Sequence, residues 1–154
     1  MKKCMILVLL VGGLHLRAFA QEENMSVGLG AEWNMASRHN FAGGAAVNFI
    51  CDLPGSSALG LSFTGSMNFN HIYVLEPAFL IRHYFSEDTH GGFFVQFNAG
   101  AFIAVEDKEV TPMIMSGLGG GYRLPLGSSF YAEPYGRLGY PFAFGLGVLA
   151  GTRF

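Results

Sequence analysis

Apolar and polar residues alternate with a period of two along most of this chain. In residues 25–35, Met25, Val27, Leu29, Ala31, Trp33 and Met35 fall on one face, and Ser26, Gly28, Gly30, Glu32 and Asn34 on the other. The same alternation recurs in residues 41–50, 58–69, 71–85, 92–105, 113–124, 129–138 and 141–154. A period of two is the signature of a strand whose two faces meet different surroundings. Eight strands are therefore predicted. Clusters of Gly, Pro, Ser and Asp separate several of them, as at residues 51–57, 86–91 and 125–128, which is the chemistry of turns. Pro77 and Pro134 fall inside predicted strands. Proline cannot donate to a strand ladder, so bulges are expected at both.

Composition identifies the surroundings. The chain has 154 residues, 51% apolar and 14% aromatic but only 13% charged. A soluble domain carries about 25% charged residues, and a disordered chain lacks aromatics. No basic patch offers a nucleic acid a footing.

The first segment is read separately. Lys2 and Lys3 precede an apolar run over residues 5–14, and Ala18-Phe19-Ala20 is a small-residue cleavage pattern. That is the plan of a secretory signal peptide, and ten apolar residues are too few for a spanning helix. Two regions are expected: a signal peptide over 1–20, with Ala18 and Ala20 marking the cleavage site, and one barrel domain over 21–154. Removing 20 of 154 residues leaves 134, with Cys51 as the sole cysteine and hence no internal disulfide.

No later apolar run reaches the eighteen or more residues of a membrane helix. An exported, apolar, strand-forming chain has one remaining way to cross a bilayer, because backbone groups in lipid must pair internally. The expected fold is all-β: an eight-stranded antiparallel up-and-down transmembrane barrel, with its termini on the periplasmic side. A soluble barrel with an apolar interior is the alternative fold, and charged residues on the glycine-rich face oppose it.

Those charges are the candidate site. Glu32, Glu76, Arg82, Arg123, Glu133, Arg137 and Arg153 all fall on the face that the alternation turns inward. A cation facing lipid at the midplane costs about 2–4 kcal/mol, so the partition has a physical cause. Two readings follow: an ion pathway, or a self-neutralising plug. The plug is favoured, since an eight-stranded interior is just wide enough for side chains to fill. Glycines inside the first, second and last strands are expected to stand across the barrel from the bulky Tyr84, Phe94, Phe102, Tyr131 and Tyr135, large against small filling the interior, with a small ligand cavity over the glycine-lined wall as the alternative. Outward aromatics sort into two levels, Trp33, Phe41, Phe69, Tyr73 and Phe142 at one end and Phe49, Phe85, Phe93, Tyr122, Phe130 and Phe154 at the other. Aromatic belts at both membrane interfaces have this form.

The last strand, residues 142–154, ends in Phe154 with apolar residues at alternate positions before it. It resembles the C-terminal signal of bacterial outer-membrane proteins, and the whole mature chain resembles the small eight-stranded barrels of the OmpA/OmpX type. The resemblance implies a place in the outer membrane of a diderm bacterium, contact with its lipid, and recognition of Phe154 by the barrel-assembly machinery. The loops are shorter than those of most surface adhesins in such barrels.

Chemistry of other kinds finds little footing. His39, His71, His83 and His90 have no Ser and carboxylate at a spacing that forces a triad, and two loop histidines do not make a metal shell. No catalytic residue, metal or cofactor is expected. Cys51 reads as a spectator, and residues 106–109 as a solvated charged loop. The favoured function is a structural or surface-exposed barrel with a filled interior and an unidentified surface ligand. A narrow conduit or binder for a small solute is the alternative, and a lipid-modifying enzyme the third.

Overall fold

The computed structural model describes residues 25–36, 40–86, 89–107 and 109–154. The expected signal peptide, with Ala18 and Ala20, lies outside the described residues, as does His39. Eight strands follow in order: β1 (Met25–Ala36), β2 (Asn40–Asp52), β3 (Ser57–Asn68), β4 (Tyr73–Tyr84), β5 (Gly92–Glu106), β6 (Glu109–Leu126), β7 (Phe130–Tyr140) and β8 (Phe142–Arg153). Each pairs antiparallel with the next, and β8 returns to β1 from Ser26↔Arg153 to Ala36↔Phe142, so the sheet is a closed barrel. Closure leaves no open edge, as lipid requires. Phe154 extends the seam by exchanging main-chain hydrogen bonds with Met25 at 2.9 and 3.1 Å.

The two faces divide as the alternation predicts. Outward positions carry exposed apolar side chains such as Leu29, Phe63, Phe79, Ile81, Leu118 and Leu138, while inward positions such as Asn48, Ser62, Thr64, Gln96 and Asn98 are buried. Water would penalise the outer surface heavily; hydrocarbon suits it.

Three local expectations need correction. The first concerns Phe142, read as outward but buried at 2% exposure. The pairing of β1 with β8 shifts between Met35↔Phe144 and Ala36↔Phe142. One extra residue in a strand reverses the parity of everything beyond it, and the ring turns inward.

The second concerns Pro77 and Pro134, where no register shift occurs. Pro77 stays paired with Phe63 on β3, while pairing with β5 skips from Leu75↔Ile103 to Ala78↔Gly100 in the same register. Pro134 stays paired with Val148 on β8, while pairing with β6 skips from Gly121↔Tyr135 to Leu124↔Ala132. A residue in an antiparallel sheet directs its N–H and C=O to one neighbour only. A missing donor therefore opens one ladder and spares the other.

The third concerns the connections. The charged loop expected over residues 106–109 shrinks to residues 107–108, because β5 runs to Glu106 and β6 begins at Glu109. Cys51, expected in a turn, lies in β2. At the end away from the termini the links are residues 37–39, 69–72, 107–108 and 141, so nothing long projects there. At the end carrying the termini, Gly55 and Gly127 hold φ of 91° and 88° in their turns, conformations open to glycine at little cost.

Candidate functional site: the charged interior

The inward alternation delivers all seven charged residues named from sequence to the interior, each at 8% exposure or less. They assemble into separate groups along the barrel. In the group nearer the termini, Glu133 of β7 receives two arginines on a single oxygen. Arg82 Nη1, from β4, donates to Glu133 Oε1 at 2.8 Å, and Arg123 Nε of β6 donates to the same oxygen. Arg82 donates further to Gln96 Oε1 (2.8 and 3.2 Å) and to Tyr84 Oη at 3.1 Å. Arg123 Nη1 donates to the Thr89 carbonyl at 3.2 Å, and its Nη2 to Ser26 Oγ on β1 at 3.3 Å. Both guanidinium groups also stack on rings, Arg82 on Phe94 at 3.8 Å and Arg123 on Tyr131 at 4.3 Å. The contacts from β4 to β7 and from β6 to β1 cross the lumen.

The second group centres on Arg137 of β7. Its Nη2 pairs with Glu32 Oε1 on β1 and lies 2.6 Å from Glu76 Oε2 on β4, while its Nε donates to Glu32 Oε1 at 3.0 Å. Tyr135 Oη donates to Glu32 Oε2 at 2.5 Å, and Asn34 Oδ1 accepts from Arg137 Nη2 at 3.2 Å. The ring of Phe142 covers the guanidinium at 4.0 Å, which is what the bulge in the β1–β8 seam achieves. The first group carries one excess positive charge and the second one excess negative charge, so they compensate each other along the barrel. Buried charges persist only when paired and hydrogen-bonded in this way.

Arg153 makes a third contact, its Nη2 lying 3.4 Å from Asp52 Oδ2 near the termini. Asp52 was missed in the sequence because it stands beside a Pro-Gly turn. Its signal was available: Asn48, Ile50 and Asp52 continue one inward face, and all three are buried. Gln96 and Tyr84 were legible as inward residues, but not as hydrogen-bond partners of an arginine.

Glycine makes room for the tyrosines. A Cβ at Gly147 would lie 2.5 Å from the Tyr135 ring, and one at Gly151 would lie 2.3 Å from that of Tyr131. These tyrosines face glycines on the adjacent strand, through the pairs Tyr135↔Gly147 and Tyr131↔Gly151. The expectation had been packing across the barrel. Of the histidines, His71, His83 and His90 are exposed. Outside the barrel, Trp33, Phe41, Phe69 and Tyr73 ring the end away from the termini, joined by Tyr140 where Phe142 was expected. Phe49, Phe85, Phe93, Phe130 and Phe154 ring the other.

No protein-family model and no curated protein sequence matches the chain. Solved structures match over most of its length. Neisserial surface protein A superposes with a TM-score of 0.61 at 9% identity, covering 86% of this chain and 96% of that one. The N-terminal β-barrel domain of Pseudomonas aeruginosa OprF gives 0.58 at 17% identity, covering 84% and 97%. A de novo designed transmembrane β-barrel gives 0.51 at 13% identity, covering 87% and 98%. At such identities the likeness is one of architecture: the fold of this chain is that of the small eight-stranded outer-membrane barrels.

Proposed function

We propose that this protein is an integral outer-membrane barrel with a side-chain-filled interior, serving a structural or surface-exposed role without pore or enzymatic activity. In this reading, residues 1–20 direct export and are removed after Ala20. The barrel-assembly machinery reads Phe154, whose exposed ring sits beside the β1–β8 seam. The seven inward charges with Asp52 are structural. One observation carries the reading: Arg82, Arg123 and Glu133 are each at 1% exposure or less while their contacts cross the lumen from β4 to β7 and from β6 to β1. An ion crossing there would have to break those contacts in a low-dielectric interior, where an unpaired charge is severely penalised. The short links at the end away from the termini agree with a compact barrel and leave little loop for a bulky recognition surface.

Planar-bilayer recording on the refolded protein tests the filled interior. No stable single-channel steps are expected, and resolved steps would refute it. Incubation with outer-membrane lipids followed by mass analysis tests the absence of catalysis. Unchanged lipid is expected, and any deacylated or acyl-transferred product would revive the enzymatic alternative.

A further inference from the structure

The filling is incomplete at the end away from the termini. A cavity of about 120 Å³ remains there, beneath the β3–β4 turn. Ala42, Ile72, Val74, Phe102 and Phe142 give it apolar walls. Polar residues border it too, but their polar groups are engaged elsewhere. Asn68 Oδ1 accepts from the backbone N–H groups of Asn70 and Ile72, both at 2.9 Å, and so closes the turn. Asn34 Oδ1 accepts from Arg137 Nη2 at 3.2 Å, and Glu76 Oε2 lies 2.6 Å from the same nitrogen. The amide nitrogen of Asn34 and that oxygen of Glu76 are both buried against protein and do not face the open space. The surface presented to a guest is therefore almost wholly apolar.

A buried water typically makes about three hydrogen bonds, so a space with so few polar partners holds water poorly. Cavities lined by apolar side chains stay dry and take up apolar molecules instead; one of ~150 Å³ accepts benzene, with its six heavy atoms. At the same space per atom, roughly 25 Å³, this cavity suits about five. A charged guest would shed its hydration and meet no counter-ion in the wall, because Glu76 is already spent on Arg137.

We propose that this cavity is a binding site for a small uncharged hydrocarbon of about five heavy atoms, packed against the rings of Phe102 and Phe142. Glu76 and its ion pair with Arg137 form the floor, so the site is a blind cup that needs no open pore. Such binding goes beyond the structural role proposed above and is compatible with a barrel that does not conduct.

The test titrates cyclopentane into the full barrel in lipid nanodiscs, following the methyl resonances of Ile72 and Val74. Saturable shifts are expected. Protonated pyrrolidine, a ring of the same size that carries a charge, should bind at least tenfold more weakly. Ala42→Leu, which fills the cup from β2, should abolish saturation. Phe102→Leu removes three heavy atoms and widens the cup by about 75 Å³ on the same scale. It should admit toluene, which the parent protein excludes, and it keeps the test decisive if the first variant fails to fold. The proposal is overturned by shifts that only rise linearly, as partition into lipid would produce, by equal affinity for pyrrolidine, or by unchanged binding in Ala42→Leu. Toluene binding equally well to the parent and to Phe102→Leu, or nuclear Overhauser contacts from ordered water to the Val74 methyls, would overturn it too.

Discussion

Glu133 is the residue whose loss the interior should feel most. Its Oε1 serves both Arg82 and Arg123, and all three side chains are buried. Glu133→Gln preserves volume and removes one charge, raising the excess on this group from one positive charge to two. Both arginines keep other acceptors: Gln96 and Tyr84 for Arg82, Thr89 and Ser26 for Arg123. What is lost is therefore chiefly the counter-charge. Removing one partner of a buried ion pair destabilises by about 3–5 kcal/mol, and the retained hydrogen bonds place this case near the lower figure, roughly a hundredfold in the folding equilibrium. Adding Arg82→Met restores the original excess of one charge with a side chain of comparable length, so the double variant should be more stable than Glu133→Gln alone. Urea unfolding of the refolded barrel in detergent reads both effects. The single tryptophan, Trp33, sits on the lipid-facing side and reports insertion by its emission. A loss below about 1 kcal/mol for Glu133→Gln, or a double variant less stable than the single, would refute the charge argument.

Other expectations follow from the same geometry. Gly147→Ala should destabilise by about 1–3 kcal/mol through overpacking, a cost that should largely vanish when the change is added to Tyr135→Ala and compared with Tyr135→Ala alone. Gly30→Ala should not recover by any such route, because its Cβ would lie 1.8 Å from the Val148 carbonyl oxygen; urea midpoints distinguish the two. Phe79→Arg, at the middle of β4 on the lipid side, should cost about 2–4 kcal/mol in lipid vesicles, and a neutral effect would contradict the assigned faces. Phe154→Ala should slow insertion into vesicles containing the assembly machinery and leave unassisted refolding in detergent nearly unchanged. N-terminal sequencing of protein extracted from membranes should begin at Gln21.

Much of the barrel is legible in the order of residues alone, because a strand with lipid on one side and protein on the other must alternate. The positions of Glu32, Arg82, Arg123 and Arg137 on the inward face follow from parity with their apolar neighbours, with no knowledge of what they touch. Parity is a local property, however, and it fails wherever the chain inserts a residue. Phe142 shows this: nothing in residues 141–154 marks the bulge, which arises where β8 must meet β1 across the closed seam. Pro77 and Pro134 show the converse, since a proline disturbs only the neighbour its missing donor would have faced, and which neighbour that is depends on the assembled sheet.

Period-two patterning determined the number of strands and the two faces, and composition the membrane as solvent, since neither depends on which strand meets which. The tertiary structure alone decided which charge meets which. Glu133 stands 51 residues from Arg82, and Glu32 stands 105 from Arg137. Such pairings depend on barrel closure and strand stagger, which bring distant inward side chains to one height. A cavity of about 120 Å³ beneath the β3–β4 turn was decided in the same way, by the space left between Phe102, Phe142 and Glu76.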